Sequence, residues 1–301
     1  MSSILIPVDF SLPCHNAYRY GLHLAEKLKL DVILAHYYPG SINPGQPLVF
    51  SGDGSIHGSY QQRLKDFAAS VAEGVDYPLV EPPKGITVYY ETEVVFSVSA
   101  SIIARAAQSD VSMVVMAPRS SKKLLGKWLG STSTTVSESC DRPVYIIPDG
   151  VRFHPFRRVV VANNNLTAEA YPLWQIDALA GMYKAYVHFV HVEWPNQYGP
   201  LRFVPWRLME ELVDDEPAKY PFDIVTVENE DITEGLLEYA DEIEANLIVV
   251  VNNVRNRWRS LLHASLTQDL ALRAKRPVLV LHTEDAPTTE KLLKAQSKTV
   301  S

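Results

Sequence analysis

The chain alternates short apolar runs with longer stretches in which apolar positions recur every three or four residues. Ile4 to Val8 is a continuous apolar run and reads as a buried strand, while from Ala17 to Leu30 the residues Tyr18, Leu22, Ala25 and Leu28 recur at helical spacing. The same logic predicts strands over Val32 to Ala35, Ile86 to Val95, Met113 to Met116 and Val144 to Ile147. Helices are predicted around Leu64 to Val75, Val98 to Ala107 and Ser131 to Ser139. Strands that are apolar on both faces and separated by helices imply a mostly parallel sheet covered on both sides.

The pattern is then written a second time. Val159-Val160-Val161-Ala162-Asn163-Asn164 repeats the opening run, placing Asn164 on Asp9 and His191 on His36 at an offset of 155 residues. Near the end of each copy the offset is 134: Ala264-Ser265 falls on Gly130-Ser131, and Arg276-Pro277-Val278 on Arg142-Pro143-Val144. The 21 extra residues of the first copy belong after His36, where Pro39, Gly40, Pro44, Gly45, Pro47, Gly52 and Gly54 predict a long loop from Tyr38 to Gly58. The expected fold class is α/β, with two tandem five-stranded, mostly parallel open sheets and helices on both faces. Residues 1–150 and 151–283 form the expected domains and 284–301 a polar tail, in keeping with 301 residues at about 150 per domain.

Composition narrows the setting. No run reaches the roughly 18 apolar residues of a membrane span, and no basic segment followed by an apolar stretch opens the chain, so a soluble, cytoplasmic protein without membrane contact is expected. Cys14 and Cys140 are the only two cysteines in the chain, too few for a thiolate metal cluster, and are expected as free thiols. A net charge of −7 speaks against nucleic acid as a partner.

Parallel sheets bind ligands at the carboxyl ends of their strands. There the sequence places Asp9-Phe10-Ser11, His36-Tyr37, Ala117-Pro118-Arg119-Ser120 and then Gly130-Ser131-Thr132. A carboxylate can accept hydrogen bonds from an adenine amino group or a ribose hydroxyl, and a helix start offers free N–H groups to phosphate. Arg119, Lys122, Lys123 and Lys127 add positive charge, and the set suits a nucleotide. Plainer roles exist for each: Asp9 or Ser11 as a helix cap, Gly130 for close packing, Ser131, Thr132 and Ser133 as capping residues, and the lysines as a solvated loop. His36 and His191 fit a role in orienting backbone at strand ends or packing there. His188 and His191 lie three apart on a strand and face opposite ways, which argues against a shared metal. Trp194, Trp206 and Trp258 read as core or interface residues. No catalytic residue and no metal site emerge: Gly126-Lys127 is followed by Trp128 rather than Ser or Thr, and neither Gly-x-Ser-x-Gly nor His-Glu-x-x-His occurs.

The opening Ile-Leu-Ile-Pro-Val-Asp-Phe-Ser, the strand ending in His36 and the block from Met113 to Pro148 resemble the universal stress protein family in its tandem form, over about residues 1–149 and 156–283. The resemblance implies a flavodoxin-like, adenine-nucleotide-hydrolase-like sandwich. Its nucleotide-binding members carry Gly-x2-Gly-x9-Gly-[Ser/Thr] after the fourth strand. Aligned on Gly130-Ser131, the two earlier glycines become Ala117 and Ser120. Ala and Ser are the smallest replacements, although they enter positive φ only at a cost. By resemblance, ATP or a related adenine nucleotide would meet Pro7, Val8, Asp9, Tyr37, Met116, Ala117, Arg119, Ser120, Gly130, Ser131 and Thr132, with Mg only alongside a triphosphate. In the second copy the counterparts are Asn164, Val251, Val254, Ala264 and Ser265, a degenerate motif suited to a supporting domain. Family habit further implies pairing of Val144 to Ile147 with Val278 to Leu281 inside the chain, and leaves open a homodimer and an unidentified protein partner. The expected function is a stress-response protein whose nucleotide occupancy regulates partner contacts, at most a slow ATPase. The alternatives are a nucleotide-independent interaction module and a binder of another small or lipid-like ligand, the latter suggested by Tyr37-Tyr38 and Trp194-Pro195.

Overall fold

The computed structural model describes residues 2–40, 54–70, 81–118, 132–162, 173–193, 195, 218–252 and 260–282. The first half runs β1 (Ser3–Pro7), α1 (Leu12–Leu28), β2 (Asp31–Pro39), α2 (Gly54–Ala69), β3 (Val88–Val95), α3 (Val98–Ala106), β4 (Val111–Met116), α4 (Thr132–Ser139) and β5 (Val144–Ile146). The second runs β6 (Arg158–Ala162), α5 (Leu173–Tyr183), β7 (Tyr186–Glu193), β8 (Phe222–Glu228), α6 (Ile232–Glu242), β9 (Leu247–Asn252), α7 (Ser260–Arg273) and β10 (Val278–His282).

These ten strands form one sheet in the order β3-β2-β1-β4-β5-β10-β9-β6-β7-β8. Each half is a five-stranded parallel unit, and the second repeats the order of the first in mirror sequence across the seam. At the seam β5 and β10 run antiparallel, with Val144 opposite Val280, Tyr145 opposite Leu279 and Ile146 opposite Val278, the pairing implied by the family resemblance. Joining these two edges leaves neither available for pairing with another chain. Because the seam is antiparallel, the strands of the two halves end at opposite ends of the sheet.

Continuous apolar strands feed two core layers, one per face. Ile4, Ile6 and Val8 point with Leu34, Val115 and Val161 toward α1, α2 and α5; Leu5, Ile33, Val114, Val160 and Ile248 point toward α3, α4, α6 and α7. The alternation is the two-residue period of a strand. In α1, Gly21 lies so close to β1 that a Cβ would collide with Ile6.

Local signals repeat along with the strands. Lys29 and Lys184, 155 residues apart, both adopt the left-handed conformation at φ 58° and 51° after α1 and α5. In each case the next amide reaches back to the helix, Leu30 N to Ala25 O and Ala185 N to Ala180 O, both 3.0 Å, the six-to-one bond of a Schellman end. The Arg-Pro-Val copies also share a role. Arg142 Nε donates to Ala106 O (3.3 Å) at the end of α3, and Arg276 Nη1 donates to the equivalent Ala240 O at the end of α6 and to Ala245 O (2.9 Å). Arg276 also pairs with Asp241. A guanidinium satisfies helix-terminal carbonyls that would otherwise lack partners.

Several expected boundaries move, among them the end of α2, at Ala69 rather than Val75, and the start of β3, at Val88 rather than Ile86. Helix α1 starts at Leu12 rather than near Ala17, because Pro13 sits in the first turn, where its missing N–H costs nothing. The expected loop from Tyr38 to Gly58 is shorter at both ends: Tyr38 pairs with Val94 in β3, and α2 starts at Gly54. The tail 284–301 lies outside the described residues, as do Trp194, Trp206 and Trp258.

Candidate functional site

In the first half β1 lies between β2 and β4, where the strand order reverses direction; in such sheets this is the crevice position. Pro7 closes β1 and is buried, and Val8 follows it at 6% exposure. The Val8 amide donates to Ala35 O (2.8 Å), and its carbonyl accepts from His36 Nδ1 (2.8 Å). That acceptor requires the proton on Nδ1. Burial lowers the His36 pKa, which keeps the ring neutral in this role. The expectation that His36 orients backbone at a strand end is thus met at atomic detail.

Asp9 is exposed, and its Oδ1 accepts from Ser11 N (3.0 Å) and from the Cys14 thiol (3.2 Å). Ser11 occupies the N-cap position of α1 but makes no side-chain cap bond there; the turn is made by the Asp9 carboxylate instead. Burial, reinforced by the Asp9 charge, pushes the Cys14 thiol up to about 12, so it remains a protonated donor to that carboxylate. The next residue, His15, lies tilted against Phe67 of α2 at 3.7 Å between ring centroids, and burial with the neighbouring Arg19 lowers its pKa to about 4.

From β4, Met116 is 5% and Ala117 8% exposed, and Met116 O accepts from Ile147 N (2.9 Å). Met116 belongs to the core layer under α3 and α4, and Ala117 to the opposite one. Tyr37 lies in the Met116 layer, on the other sheet face from His36 and beside Glu91 and Arg105. Arg105 binds Glu91 through both oxygens and Asp110 through both oxygens, at 2.8–2.9 Å. Thr132 is the first described residue of α4 and is half-buried. Arg119, Ser120, Gly130 and Ser131 lie outside the described residues, as do Lys122, Lys123 and Lys127.

In the second half, Val251 pairs with Leu281 near the end of β9 and is half-buried. Ala264 and Ser265 lie inside α7, at least four residues beyond Ser260. Their amides therefore fall past the first turn, whose N–H groups are the ones free to meet an anion. Asn164 and Val254 lie outside the described residues. His191 is half-buried on β7, while His188 bonds Tyr239 (3.0 Å) on the opposite face.

Sequence reading passed over the aromatic cluster beside Asp9. Phe10, His36, Tyr38, Tyr60 and Phe67 meet there, with His36 4.4 Å from Phe10 and 4.9 Å from Tyr60, and Tyr38 4.3 Å from Tyr60. The alternation of His36 and Tyr38 on one strand face was a usable signal, but their partners stand more than twenty residues away in α2. Among the described residues, no three His, Cys, Asp or Glu side chains are grouped to hold a metal ion, and no helix is long and apolar enough to cross a membrane.

A sequence profile of the Universal stress protein family matches the chain twice, over residues 1–148 and 155–282. The chain belongs to the universal stress protein family. Its tandem form has counterparts among solved structures. A universal stress protein from Archaeoglobus fulgidus superposes with a TM-score of 0.63 at 18% identity, covering 95% of this chain and 97% of that one. A functionally unknown protein from Pseudomonas aeruginosa PAO1 gives 0.53 at 12% identity over 98% of each chain. A putative universal stress protein from Pseudomonas aeruginosa UCBPP-PA14 gives 0.52 at 12% identity, over 94% and 93%. At these identities the likeness is one of fold. No curated protein matches the chain. Within the universal stress protein fold, the end of β1 is thus the place where this chain carries an exposed carboxylate on a fixed backbone turn.

Proposed function

We propose that this universal stress protein binds an adenine nucleotide, ATP or a relative, in its first domain (residues 1–150), and that occupancy regulates its contacts with a partner protein in the cytoplasm. The second domain (151–283) serves as a supporting half. The observation that carries this reading is the Asp9 carboxylate, exposed at the end of β1 in the crevice position, on a turn fixed by Ser11 N and on backbone locked by His36. A carboxylate there can accept from ribose hydroxyls or an adenine amino group. Pro7 and Val8 lie at the end of β1 and Met116 and Ala117 at the end of its neighbour β4; Ser120, Gly130, Ser131 and the following Thr132 are assigned to the nucleotide by the family motif, and Arg119 by its charge. Tyr37, on β2, is assigned by the family resemblance alone, with its ring on the α3 face.

Binding rather than turnover is the proposed role, since among the described residues Cys14 and His36 beside Asp9 are not poised as a general base: Cys14 stays protonated and His36 is tied to Val8 O. Mg would enter only with a triphosphate. A second reading, an interaction module that needs no nucleotide, is favoured by the prior engagement of Asp9 Oδ1 with Ser11 and Cys14. Calorimetric titration of ATP into wild type and Asp9→Ala separates the two. Saturable heat that is lost in the variant supports the nucleotide reading, and no heat in either protein supports the interaction module.

A further inference from the structure

Phe10 adopts φ 65°, a left-handed conformation that a bulky side chain enters at a steric cost. Lys29 and Lys184 share that conformation at helix ends, but Phe10 closes no helix; it stands directly between Asp9 and the start of α1. Its ring is held from several directions. The Arg63 guanidinium lies over it at 4.2 Å, His36 at 4.4 Å, Phe67 edge-on at 5.8 Å, and Tyr60 parallel to it at 6.4 Å. Tyr60, Arg63 and Phe67 project from one face of α2, spaced three and four residues apart. The turn at Phe10 brings Ser11 N back to Asp9 Oδ1 and admits Cys14 to the same oxygen.

We propose that Phe10 is the positioning residue of the Asp9 carboxylate, and that α2, through Tyr60 and Arg63, is the clamp that holds Phe10 in its left-handed turn. Without the clamp the backbone at Phe10 relaxes toward negative φ, which any non-glycine residue prefers. The carboxylate then swings off Ser11 N, and the first turn of α1 loses its hold on Cys14. Nucleotide affinity in the first half thus depends on how α2 is seated, which makes α2 a route by which a partner can regulate the site. This deepens the adenine-nucleotide reading, yet its primary readout needs no nucleotide.

Cys14, 8% exposed and bonded to Asp9, reports the turn, while Cys140, 1% exposed under α4, reports global opening. The experiment is alkylation of the full chain by iodoacetamide, resolved by site with mass spectrometry, for wild type, Arg63→Ala, Tyr60→Ala and Tyr60→Phe, each with and without ATP. Arg63 is exposed and Tyr60 half-exposed, so neither change empties the core. The expected result is alkylation of Cys14 about three- to tenfold faster in Arg63→Ala and Tyr60→Ala, the scale of losing a cation–π or ring contact. Tyr60→Phe keeps the ring and should react like wild type, and Cys140 should be unchanged throughout. Unchanged Cys14 rates in both alanine variants overturn the clamp, as does a parallel rise at Cys140. ATP that slows Cys14 in wild type supports the nucleotide reading separately. If ATP has no effect while the alanine variants do, the clamp stands and the nucleotide reading fails.

Discussion

The two halves share their scaffold and differ at the carboxyl ends of their strands. Arg142 and Arg276 satisfy equivalent helix-terminal carbonyls, and Lys29 and Lys184 end equivalent helices with the same backbone turn. At the other end of the strands the copies diverge. The first half has an Asp9 carboxylate on a locked turn, whereas in the second Ala264 and Ser265 lie inside α7 and the Asp9 counterpart is Asn164. The anchors that hold helices onto strands are kept because every copy must bury the same apolar faces. The carboxyl ends of the strands carry no such requirement and are free to drift in one copy.

The comparison breaks most visibly at the seam, where both halves depend on one strand pair. Leu279, 3% exposed and opposite Tyr145, should cost about 2–5 kcal/mol when truncated in Leu279→Ala, as for other large core residues. Far-UV circular dichroism and tryptophan fluorescence should then follow one shared denaturant transition; two separated transitions would show that the halves fold independently. A smaller effect distinguishes the matched arginines. Arg276→Ala strips two carbonyls and Asp241 of a donor, for about 1–3 kcal/mol, whereas Arg142→Ala removes one long bond, for about 0.5–1.5 kcal/mol. Denaturation midpoints in the reverse order would contradict the assigned roles.

The smallest effect is a pH dependence with a defined sign. His282 on β10 donates from Nε2 to Ser137 O of α4 (2.9 Å), so this buried ring ties one half to the other. Burial lowers the His282, His36 and His15 pKa values below 6.5, to about 4 for His15, while Asp141 opposes the shift at His282 and Asp9 that at His36. The folded state therefore binds fewer protons than the unfolded one in this window. Their stabilisation is complete above 6.5 and is lost as pH falls from there toward the folded values. For each ring the loss between about pH 7 and about pH 5.5 is at most about 1.4 kcal/mol. His282→Gln, which keeps an N–H donor without titrating, should flatten part of the slope in denaturant titrations; an unaltered slope would remove His282 from the account.

Much of the fold was legible because its signals are local or repeated. Apolar strands, helical spacing and the matched Arg-Pro-Val blocks give the order of elements, while the seam came from the family resemblance. The start of α1 was misplaced because Pro13 reads as a break unless the first turn is already known, and α2 was entered late because Gly54 and Gly58 resemble loop residues. At the site, Asp9 and His36 were readable from their positions after strands. The left-handed Phe10 was not, since nothing in a phenylalanine announces positive φ; only Arg63 and Tyr60, brought from α2, reveal what holds it.

On the proposed reading, the contrast between the halves comes down to how many nucleotides one chain holds. Equilibrium dialysis against labelled ATP at saturation, on wild type and Asp9→Ala, measures this directly. The account predicts one ATP per wild-type chain and none on the variant; two per chain, or one that survives Asp9→Ala, would contradict it.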